Sequence, residues 1–339
     1  GAIKFRMTRE PVVIPDLVCG DVTRHLTDRE EADPDFVIVR SDGKPVFHLV
    51  NVIDDLEMGI THVIRGEDHL SNPSRHIALY QALGADCPQF AHIPLILNGD
   101  GSKMSKRDLG ASMTTYMEEG FVSEAVVNYL CLLGWSPKDD RQKMDLSEVI
   151  ELFDLPQILR HNARFDMDKL VSLNGQYLAE LSADQYRGLA IPALKKAGVH
   201  TDDFTSDYLH AAIDSTVGKF KQMSEIGDYA GFYFKKLEDM EWDAEAAGKQ
   251  LIPENHALVS ALRAAFVAEE SFVAANIQAA FKSTAKALGV KVGALIHPLR
   301  LACTGQSNGP SLYHLVEILG KDRVLASIDQ ALSRMKPND

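Results

Sequence analysis

The sequence has few cysteines, no long apolar run and a shortage of positive charge. Its cysteines lie far apart without C-x-x-C spacing, which argues against a zinc site or a disulfide framework and predicts free, buried thiols. No apolar run approaches the roughly 20 residues that a membrane-spanning helix needs. The net charge of −13 argues against a surface that binds nucleic acid everywhere, so any such contact must be a local patch. The cysteines are Cys19, Cys87, Cys131 and Cys303.

The remaining composition is that of an ordinary globular protein with two or three domains. Hydrophobic residues make up 45% and charged residues 24% of the 339 residues, which is enough apolar material for several cores. The first residues, "GAIKFRMTREP", contain no apolar segment of a signal peptide, so we expect a cytoplasmic protein.

The first hundred residues predict short strands and then a βαβ unit. Residues 1–47 contain β-branched runs interrupted by Pro, Gly and Asp. After them, "GITHVIRGED" is typical of a strand, "SNPSRHIALYQALGA" of a helix and "FAHIPLIL" of one buried strand. A strand, a helix and a strand within forty residues predict a parallel sheet with a right-handed crossover, whose ligands bind beyond the carboxyl ends of the strands.

Two polar clusters follow the predicted strand ends. "GSKMSKR" at 101–107 places Lys103, Lys106 and Arg107 in a glycine-bracketed loop, which suits a polyphosphate whose charge must be neutralised. "RGEDH" at 65–69 contains Arg65, whose planar guanidinium could hold a carboxylate. Taken separately, the first cluster is equally typical of a solvated basic turn and the second of a helix-entry loop. Their positions after parallel strands favour the ligand-binding interpretation.

From about residue 111 the pattern is mainly helical. "FVSEAVVNYLCLLGW" has apolar residues at helical spacing up to a terminating glycine. The acidic, weakly periodic stretch 235–255 is interpreted as a connection between helical subdomains. Further helices are predicted at 205–222, 255–270, 271–289, 311–320 and 322–335.

These motifs together resemble the glutamyl-tRNA synthetases, which are class I aminoacyl-tRNA ligases. "KMSKR" is the class I signature loop, and residues 41–84 resemble the second sheet half of the family almost throughout. "FDMDKLVSLNGQYL" at 165–178 is similar to the stem-contact segment, and residues 291–328 resemble the end of the anticodon-binding region. The resemblance implies an α/β plus all-α chain: the second half of a Rossmann-type parallel sheet, a stem-contact region and helical anticodon-binding domains.

The domain boundaries implied by this resemblance divide the chain into five parts. Residues 1–47 would end the inserted acceptor-end-binding domain, and 48–110 would form the second half of the Rossmann catalytic domain with the KMSKR loop. Residues 111–180 would be the stem-contact region. The two helical anticodon-binding subdomains would be 181–240 and 241–339.

The resemblance also implies an activity and its residues. The family adenylates glutamate with ATP and with Mg²⁺ that is bound through ATP, then transfers the glutamyl group to its tRNA; no protein metal ligands are assigned. The catalytic residues would be Lys106, Lys103 and Arg107. Those binding ATP would be Lys106, Lys103, Met104, Ser105, Asp68, His69, Ile96 and Leu97. Glutamate would contact Arg65, Phe47 and Asn51, and the anticodon would contact Arg300 and Lys219.

The sequence departs from the family pattern at three points. Phe47 stands where the family commonly has tyrosine, and Lys219 stands where it often has arginine, which stacks better on a base. The third departure is the H-x-G-H-type motif of class I enzymes, which does not occur in this sequence. We therefore expect an N-terminally truncated synthetase that is inactive alone.

Other interpretations remain at this point. A non-catalytic tRNA-binding or regulatory module would also keep the helical region, although its phosphate loop would then be free to diverge. Glutaminyl-tRNA synthetase is disfavoured because its anticodon region is built of β-barrels, and the shorter relatives that glutamylate a modified tRNA base lack an anticodon domain. Whether glutamine tRNA is charged as well as glutamate tRNA is open.

Overall fold

The computed structural model describes residues 1–25, 35–105, 108 and 112–335, which form short strands followed by helices. The strands are β1 (Ile3–Phe5), β2 (Val12–Ile14), β3 (Val22–Arg24), β4 (Phe36–Val39), β5 (His62–Gly66), β6 (Gln89–Ile93), β7 (Ile96–Leu97) and β8 (Ala163–Arg164). The helices are α1 (Phe47–Glu57), α2 (Pro73–Leu83), α3 (Met113–Glu118), α4 (Ser123–Cys131), α5 (Leu146–Leu152), α6 (Met167–Glu180), α7 (Ala183–Lys196), α8 (Ser206–Asp214), α9 (Ile226–Phe234), α10 (Ala244–Gln250), α11 (His256–Ala268), α12 (Ala274–Leu288), α13 (Gly293–Thr304), α14 (Leu312–Leu319) and α15 (Lys321–Arg334).

The chain divides into two compact units. The first unit comprises Gly1–Ser112 and Val126–Met167, and it contains all eight strands. The second unit comprises Met113–Ala125 and the chain from Asp168 onward, and its described part is helical. The finer five-part division stays a prediction.

The predicted βαβ unit is present in the first unit. β5 and β6 pair in parallel from His62 opposite Gln89 to Gly66 opposite Ile93, and α2 connects them along the chain. Both strands therefore end at the same edge, where the sequence predicts ligand binding.

The segment "FAHIPLIL" forms two strands, so the prediction of one continuous strand is wrong. Pro94 has no N–H to donate to a ladder, and β6 ends just before it. The chain then changes partner: Asn162 Oδ1 accepts from the N–H of Leu95 at 2.9 Å, and β7 pairs in parallel with β8. This change of partner lets the segment after Pro94 turn into the lysine-rich loop.

The strands of the N-terminal segment pair in antiparallel fashion. β1 pairs with β4 and β2 pairs with β3, which agrees with the predicted short strands; β3 itself was not predicted. The core under α1 and α2 is formed by Val52, Leu79 and Tyr80, with Phe5 and Phe36 packed against it. Burying these side chains joins the N-terminal strands to the βαβ unit.

The second unit is built around one apolar core to which its long helices contribute. Large members that are fully buried are Tyr186, Leu194, Tyr233, Phe266, Phe281, Leu299 and Ile328. The helix-rich prediction is confirmed, with two corrections. The helix predicted at 205–222 ends at Asp214, before Gly218 with its φ of +71°. The predicted connection 235–255 contains α10, because Asp243 Oδ1 caps it by accepting from the N–H of Ala246 at 2.7 Å.

The cysteines are free, as predicted, but the prediction that they are buried is wrong for most of them. Cys303 is buried, Cys19 and Cys131 are partly buried, and Cys87 is exposed. The spacing of cysteines carries no information about burial, which depends on the face that each residue occupies.

No helix within the described ranges is long and apolar enough to cross a membrane.

Candidate functional site

The two polar clusters contact each other beyond the strand ends. β5 ends at Gly66, and the following residues, Glu67–His69, form one 3₁₀ turn. Lys103 Nζ donates to Asp68 Oδ2 across 2.7 Å. This hydrogen bond holds the pKa of Asp68 below its ordinary value, so the carboxylate is charged at neutral pH. A Cβ atom at Gly66 would lie 2.7 Å from Asp68 Oδ1, so glycine at this position leaves room for the carboxylate.

A tight hairpin presents Lys103 to Asp68. The N–H of Met104 donates to the carbonyl of Ile96 at 3.1 Å, and the N–H of Asn98 donates to the carbonyl of Ser102 at 2.8 Å. Gly101 closes the turn with a φ of +88°, a conformation that costs a residue with a Cβ atom free energy. The loop between β7 and Lys103 is therefore defined by backbone hydrogen bonds.

Asp108 holds the far side of the lysine-rich loop. Its Oδ2 accepts from Asn98 Nδ2 at 3.0 Å and from the N–H of Ser105 at 2.6 Å. The Asn98 amide, followed by the Ser105 N–H, holds the pKa of Asp108 below its ordinary value. The predicted residues Lys106 and Arg107 lie outside the described residues.

Arg65, the predicted partner of a carboxylate, donates a hydrogen bond through Nε, whereas its Nη2 is buried without a hydrogen-bond partner among the described residues. It lies on β5, and its Nε donates to His92 Nε2 at 3.1 Å. Its Cζ lies 6.0 Å from the centre of the Phe90 ring. Nη2 is buried and has no hydrogen-bond partner among the described residues. Burial lowers the pKa of Arg65, and the charge of Asp55 partly opposes this effect.

Helix α1 brings Asn51 to the same region. His48, Asn51 and Asp55 are spaced three and four residues apart and therefore share one face of the helix. The charge of Arg65 acts on His48 and on Asp55, the residues on either side of Asn51 along this face. Asn51 Oδ1 is buried and has no partner among the residues that the structure describes. The region thus offers an acceptor from Asn51 and a donor from Arg65.

Next to this face, two histidines are held neutral. His48 Nδ1 lies 3.1 Å from His76 Nε2, and Arg75 Nη1 lies 3.1 Å from His48 Nε2. Arginine only donates, so His48 accepts at Nε2 and donates from Nδ1 to His76. Burial, with the charges of Arg65, His48 and Arg75, lowers the pKa of His76 to about 4. Burial, with Arg75 and Arg65, also lowers the pKa of His48.

Phe47 and His69 are both exposed in the first unit. Phe47 is 59% exposed, and its ring centre lies 5.3 Å from that of His48 and 6.3 Å from that of His76. His69 is exposed in the turn after β5, where its Nδ1 lies 3.5 Å from Asn72 Nδ2. Both rings are accessible to a ligand.

A cavity of about 540 Å³ opens beside the lysine-rich loop. Four of the predicted nucleotide-binding residues line it: Ile96, Lys103, Met104 and Ser105. Much of the apolar lining comes from Leu130, Leu133, Trp135, Phe153 and Ile158. This volume is within the range of about 300–1,000 Å³ that is usual for small-molecule sites. Leu97, the other predicted adenine contact, is the second residue of β7.

The predicted anticodon residues belong to the second unit and differ in their surroundings. Arg300 lies on α13, and its Nη1 donates to the carbonyl of Pro310 at 2.8 Å. Burial lowers the pKa of Arg300, while Tyr233 and Cys303 act in the opposite direction. Lys219 follows α8 and is exposed. Arg300 is therefore held by the loop after its helix, whereas Lys219 lies at the surface.

Sequence reasoning missed Asp16 and His92, which are both buried and lie next to Arg65. His92 Nδ1 is 2.6 Å from Asp16 Oδ2. The pattern of "FAHIPLIL" indicates only a buried strand, and Asp16 lies 76 residues before His92 in the chain. A histidine within an apolar strand is the only signal that could have drawn attention to this pair.

Because His76 is buried, we predict that the stability of the first unit depends on pH. Its pKa is about 4 in the native chain and 6.5 in an ordinary environment, so between these values the unfolded chain binds a proton that the native chain does not. Stability should therefore fall as the pH drops from about 6.5 to about 4, by at most about 3.5 kcal/mol at about 1.4 kcal/mol per pKa unit.

The measurement is urea unfolding followed by the fluorescence of Trp135, which lies in the first unit, in a Trp242→Phe background. The control is the same pH series on His76→Gln, whose stability should depend less steeply on pH in this window. Equal pH dependence of the two chains would contradict the assignment.

Sequence profiles of two families match consecutive parts of the chain. The profile described as "tRNA synthetases class I (E and Q), catalytic domain" matches residues 2–172. The profile described as "Anticodon binding domain" matches residues 178–332. The predicted arrangement of a class I catalytic fold followed by a helical anticodon region is confirmed.

Relatives with known names match nearly the whole chain. A glutamate–tRNA ligase of Methylacidiphilum infernorum is 44% identical over 96% of this chain and 72% of its own length. One of Akkermansia muciniphila is 42% identical over 97% of this chain and 74% of its own length. The crystal structure of a glutamate tRNA ligase from Elizabethkingia meningosepticum in complex with its amino acid has a TM-score of 0.86 at 31% identity, over 99% of this chain and 68% of that chain. The chain therefore belongs to the glutamate–tRNA ligase family of class I tRNA synthetases.

Proposed function

We propose that this chain serves the ATP-dependent attachment of glutamate to tRNA. In the first step the α-carboxylate of glutamate attacks the α-phosphorus of ATP, and pyrophosphate leaves. In the second step a hydroxyl of the terminal adenosine of the tRNA attacks the glutamyl carbonyl, and AMP leaves. The observation that carries this proposal is the contact of Lys103 with Asp68, which shows that the lysine-rich loop lies next to the end of the strand that contains Arg65. The cytoplasmic location stays a prediction of the sequence.

The cations of the loop would stabilise the charge that builds on the phosphates. Lys103, Lys106 and Arg107 would act on the α-phosphate and on the departing pyrophosphate, because positive charge placed there stabilises the transition state more than the ground state. The ion pair of Lys103 with Asp68 is exposed to solvent, which screens it, so it adds little to stability. A triphosphate can therefore draw Lys103 away from Asp68 with little loss of stability.

The cavity beside the loop suits the nucleoside part of ATP. Ile96 would flank the adenine from the cavity lining, and Leu97 would do so from the next position on β7. Met104 and Ser105 would shape the loop. Asp68 and His69, which are exposed after β5, would face the nucleotide.

Magnesium would arrive with the nucleotide. Within the described ranges, no three or more His, Cys, Asp or Glu side chains are grouped so that they could hold a metal ion. Phosphate oxygens are good ligands for Mg²⁺, which usually keeps few protein ligands in nucleotide sites. In this proposal the ligands of Mg²⁺ are supplied by ATP and water.

Arg65 would distinguish glutamate from glutamine. Its buried Nη2 needs an acceptor, and a carboxylate accepts where the amide nitrogen of glutamine cannot. Asn51 Oδ1 needs a donor, which the ammonium group of the amino acid supplies. Phe47 would line this region with its exposed ring, without the hydroxyl contact that a tyrosine would add.

The second unit would read the anticodon. Arg300 would stack on a base or bond its edge, because a guanidinium is planar and donates along its rim. Lys219 would contribute a mobile charge and weaker stacking than arginine.

Residues 1–339 assayed alone should not activate glutamate. The sequence lacks the H-x-G-H-type motif, so part of the positive environment of the phosphates is missing. The measurement is glutamate-dependent exchange of labelled pyrophosphate into ATP by the purified chain. Exchange above the level of a no-enzyme blank would show that the motif is dispensable.

Replacing Lys106 by alanine should slow the activation of glutamate. The assay uses an enzyme preparation that contains this chain and catalyses pyrophosphate exchange. We expect a decrease in kcat of about 100-fold, the usual effect of removing one group that stabilises transition-state charge, with little change in tRNA affinity. Lys44→Ala, which removes a lysine from an exposed turn of the same unit, is the control. An unchanged kcat would remove the loop from catalysis.

Arg300→Ala should weaken tRNA binding rather than activation. The expected loss of affinity is about 1–3 kcal/mol if the guanidinium stacks on or reads a base. Filter binding of glutamate tRNA at fixed salt measures it, since affinities for nucleic acid depend on salt. The matched control is Arg263→Ala, which removes an arginine that pairs with Asp329 in the same unit. Equal affinities of the two variants would refute the placement.

A further inference from the structure

A buried row of three side chains runs from a carboxylate to the guanidinium of Arg65. Asp16 Oδ2 lies 2.6 Å from His92 Nδ1, and His92 Nε2 accepts from Arg65 Nε at 3.1 Å. The side chains of Asp16 and His92 are completely buried. The imidazole therefore connects an acidic residue of the N-terminal segment to the predicted glutamate ligand.

The backbone places these residues in adjacent positions. Arg65 and His92 are partners in the register of β5 and β6, so their side chains project from the same face of the sheet. On the other side of β6, Asp16 forms a parallel bridge with Phe90, and the N–H of Leu17 donates to the carbonyl of Phe90 at 2.9 Å. Three neighbouring segments thus contribute one residue each.

The hydrogen bonds determine which nitrogen of His92 carries the proton. Arginine has only donors, so His92 Nε2 must accept and the proton of the neutral ring is on Nδ1. Nδ1–H then donates to the carboxylate of Asp16. A proton on Nε2 would instead point at the Arg65 Nε–H and remove its acceptor.

Asp16 is held in its charged form. Burial alone would raise its pKa, but hydrogen bonds from the Cys19 N–H, from the His92 ring and N–H, and from the Val18 N–H leave the pKa below its ordinary value. The Cys19 and Val18 N–H groups donate to Oδ1 at 2.8 and 3.0 Å. The carboxylate therefore accepts from His92 and cannot donate to it.

We propose that Asp16 and His92 are positioning residues for glutamate recognition, holding the guanidinium of Arg65 so that its terminal nitrogens face the side-chain carboxylate of the substrate. The inference rests on the proposed role of Arg65. An arginine on a flexible stem loses side-chain entropy when it binds, and fixing Nε beforehand reduces that loss. It also sets the plane in which a carboxylate must lie to accept two hydrogen bonds.

The first test reads the protons directly in residues 1–339 by ¹⁵N NMR. We expect His92 to show the neutral tautomer protonated on Nδ1, and the Arg65 Nε–H to exchange slowly with water. In Asp16→Asn the side-chain amide would donate to Nδ1, which would move the ring proton to Nε2. The Arg65 Nε–H should then exchange at least about tenfold faster.

Asp35→Asn is the matched control. Asp35 Oδ1 also accepts from a backbone N–H, that of Met7 at 2.9 Å, and from an arginine, Arg9 at 2.8 Å. This variant should leave the His92 tautomer and the Arg65 exchange rate unchanged. A native His92 protonated on Nε2, or an Arg65 exchange rate that Asp16→Asn does not alter, would overturn the inference.

The second test measures glutamate recognition in an enzyme preparation that contains this chain and supports pyrophosphate exchange. Asp16→Asn and His92→Leu should raise the KM for glutamate at least about tenfold and change the KM for ATP less than about twofold. His92→Gln keeps an acceptor for the Arg65 Nε–H and should recover part of the loss. A purely structural role predicts that Gln and Leu behave alike and that both KM values change, which would overturn the inference.

Arg65→Ala separates this inference from the proposal on which it rests. If it leaves the KM for glutamate unchanged, the proposed role of Arg65 is wrong, whatever the tautomer of His92. If it raises that KM while Asp16→Asn and His92→Leu do not, Arg65 binds glutamate without help and only the positioning inference fails.

Discussion

The parallel pairing of β5 with β6, in the register that sets Arg65 opposite His92, is the constraint on which the candidate site depends. Parallel strands end at the same edge, so the turn after β5 and the loop that follows β6 and β7 both open there. The ion pair of Lys103 with Asp68 is a consequence of this edge rather than its cause, because an exposed pair is too weak to hold two segments together. The hydrophobic packing of α1 on α2 supplies the stability that keeps the edge in place.

Around the candidate site of this acidic chain, burial and hydrogen bonds determine which side chains are charged. His76 is kept neutral by burial and by neighbouring positive charge, and Asp16 is kept ionised by four hydrogen-bond donors. Arg65 supplies positive charge on β5, and Lys103 supplies it in the lysine-rich loop. The net charge of −13 therefore says little about the local potential at this edge, where Asp68 is paired with Lys103 and Asp16 is buried among hydrogen-bond donors.

Most of the fold could be predicted from local patterns, and the predictions that failed did so for local reasons. The βαβ unit and most of the long helices follow from apolar periodicity, which persists in any context that buries one face. "FAHIPLIL" has the pattern of one strand, but Pro94 cannot extend a ladder and the chain takes a new partner. Residues 235–255 look too acidic and irregular for a helix, yet the cap of Asp243 and contacts with the second core stabilise α10.

From the sequence alone, a class I signature loop and the polar cluster at 65–69 could be placed near strand ends, since motif, spacing and strand pattern are all local. The contact of Lys103 with Asp68, the position of Asn51 on a helix face within reach of Arg65 and the hydrogen bond from His92 to Asp16 follow from the tertiary structure. Lys103 and Asp68 are 35 positions apart, and Asp16 and His92 are 76 positions apart. These contacts depend on how segments pack, and packing is set by the sum of many buried side chains rather than by any short motif.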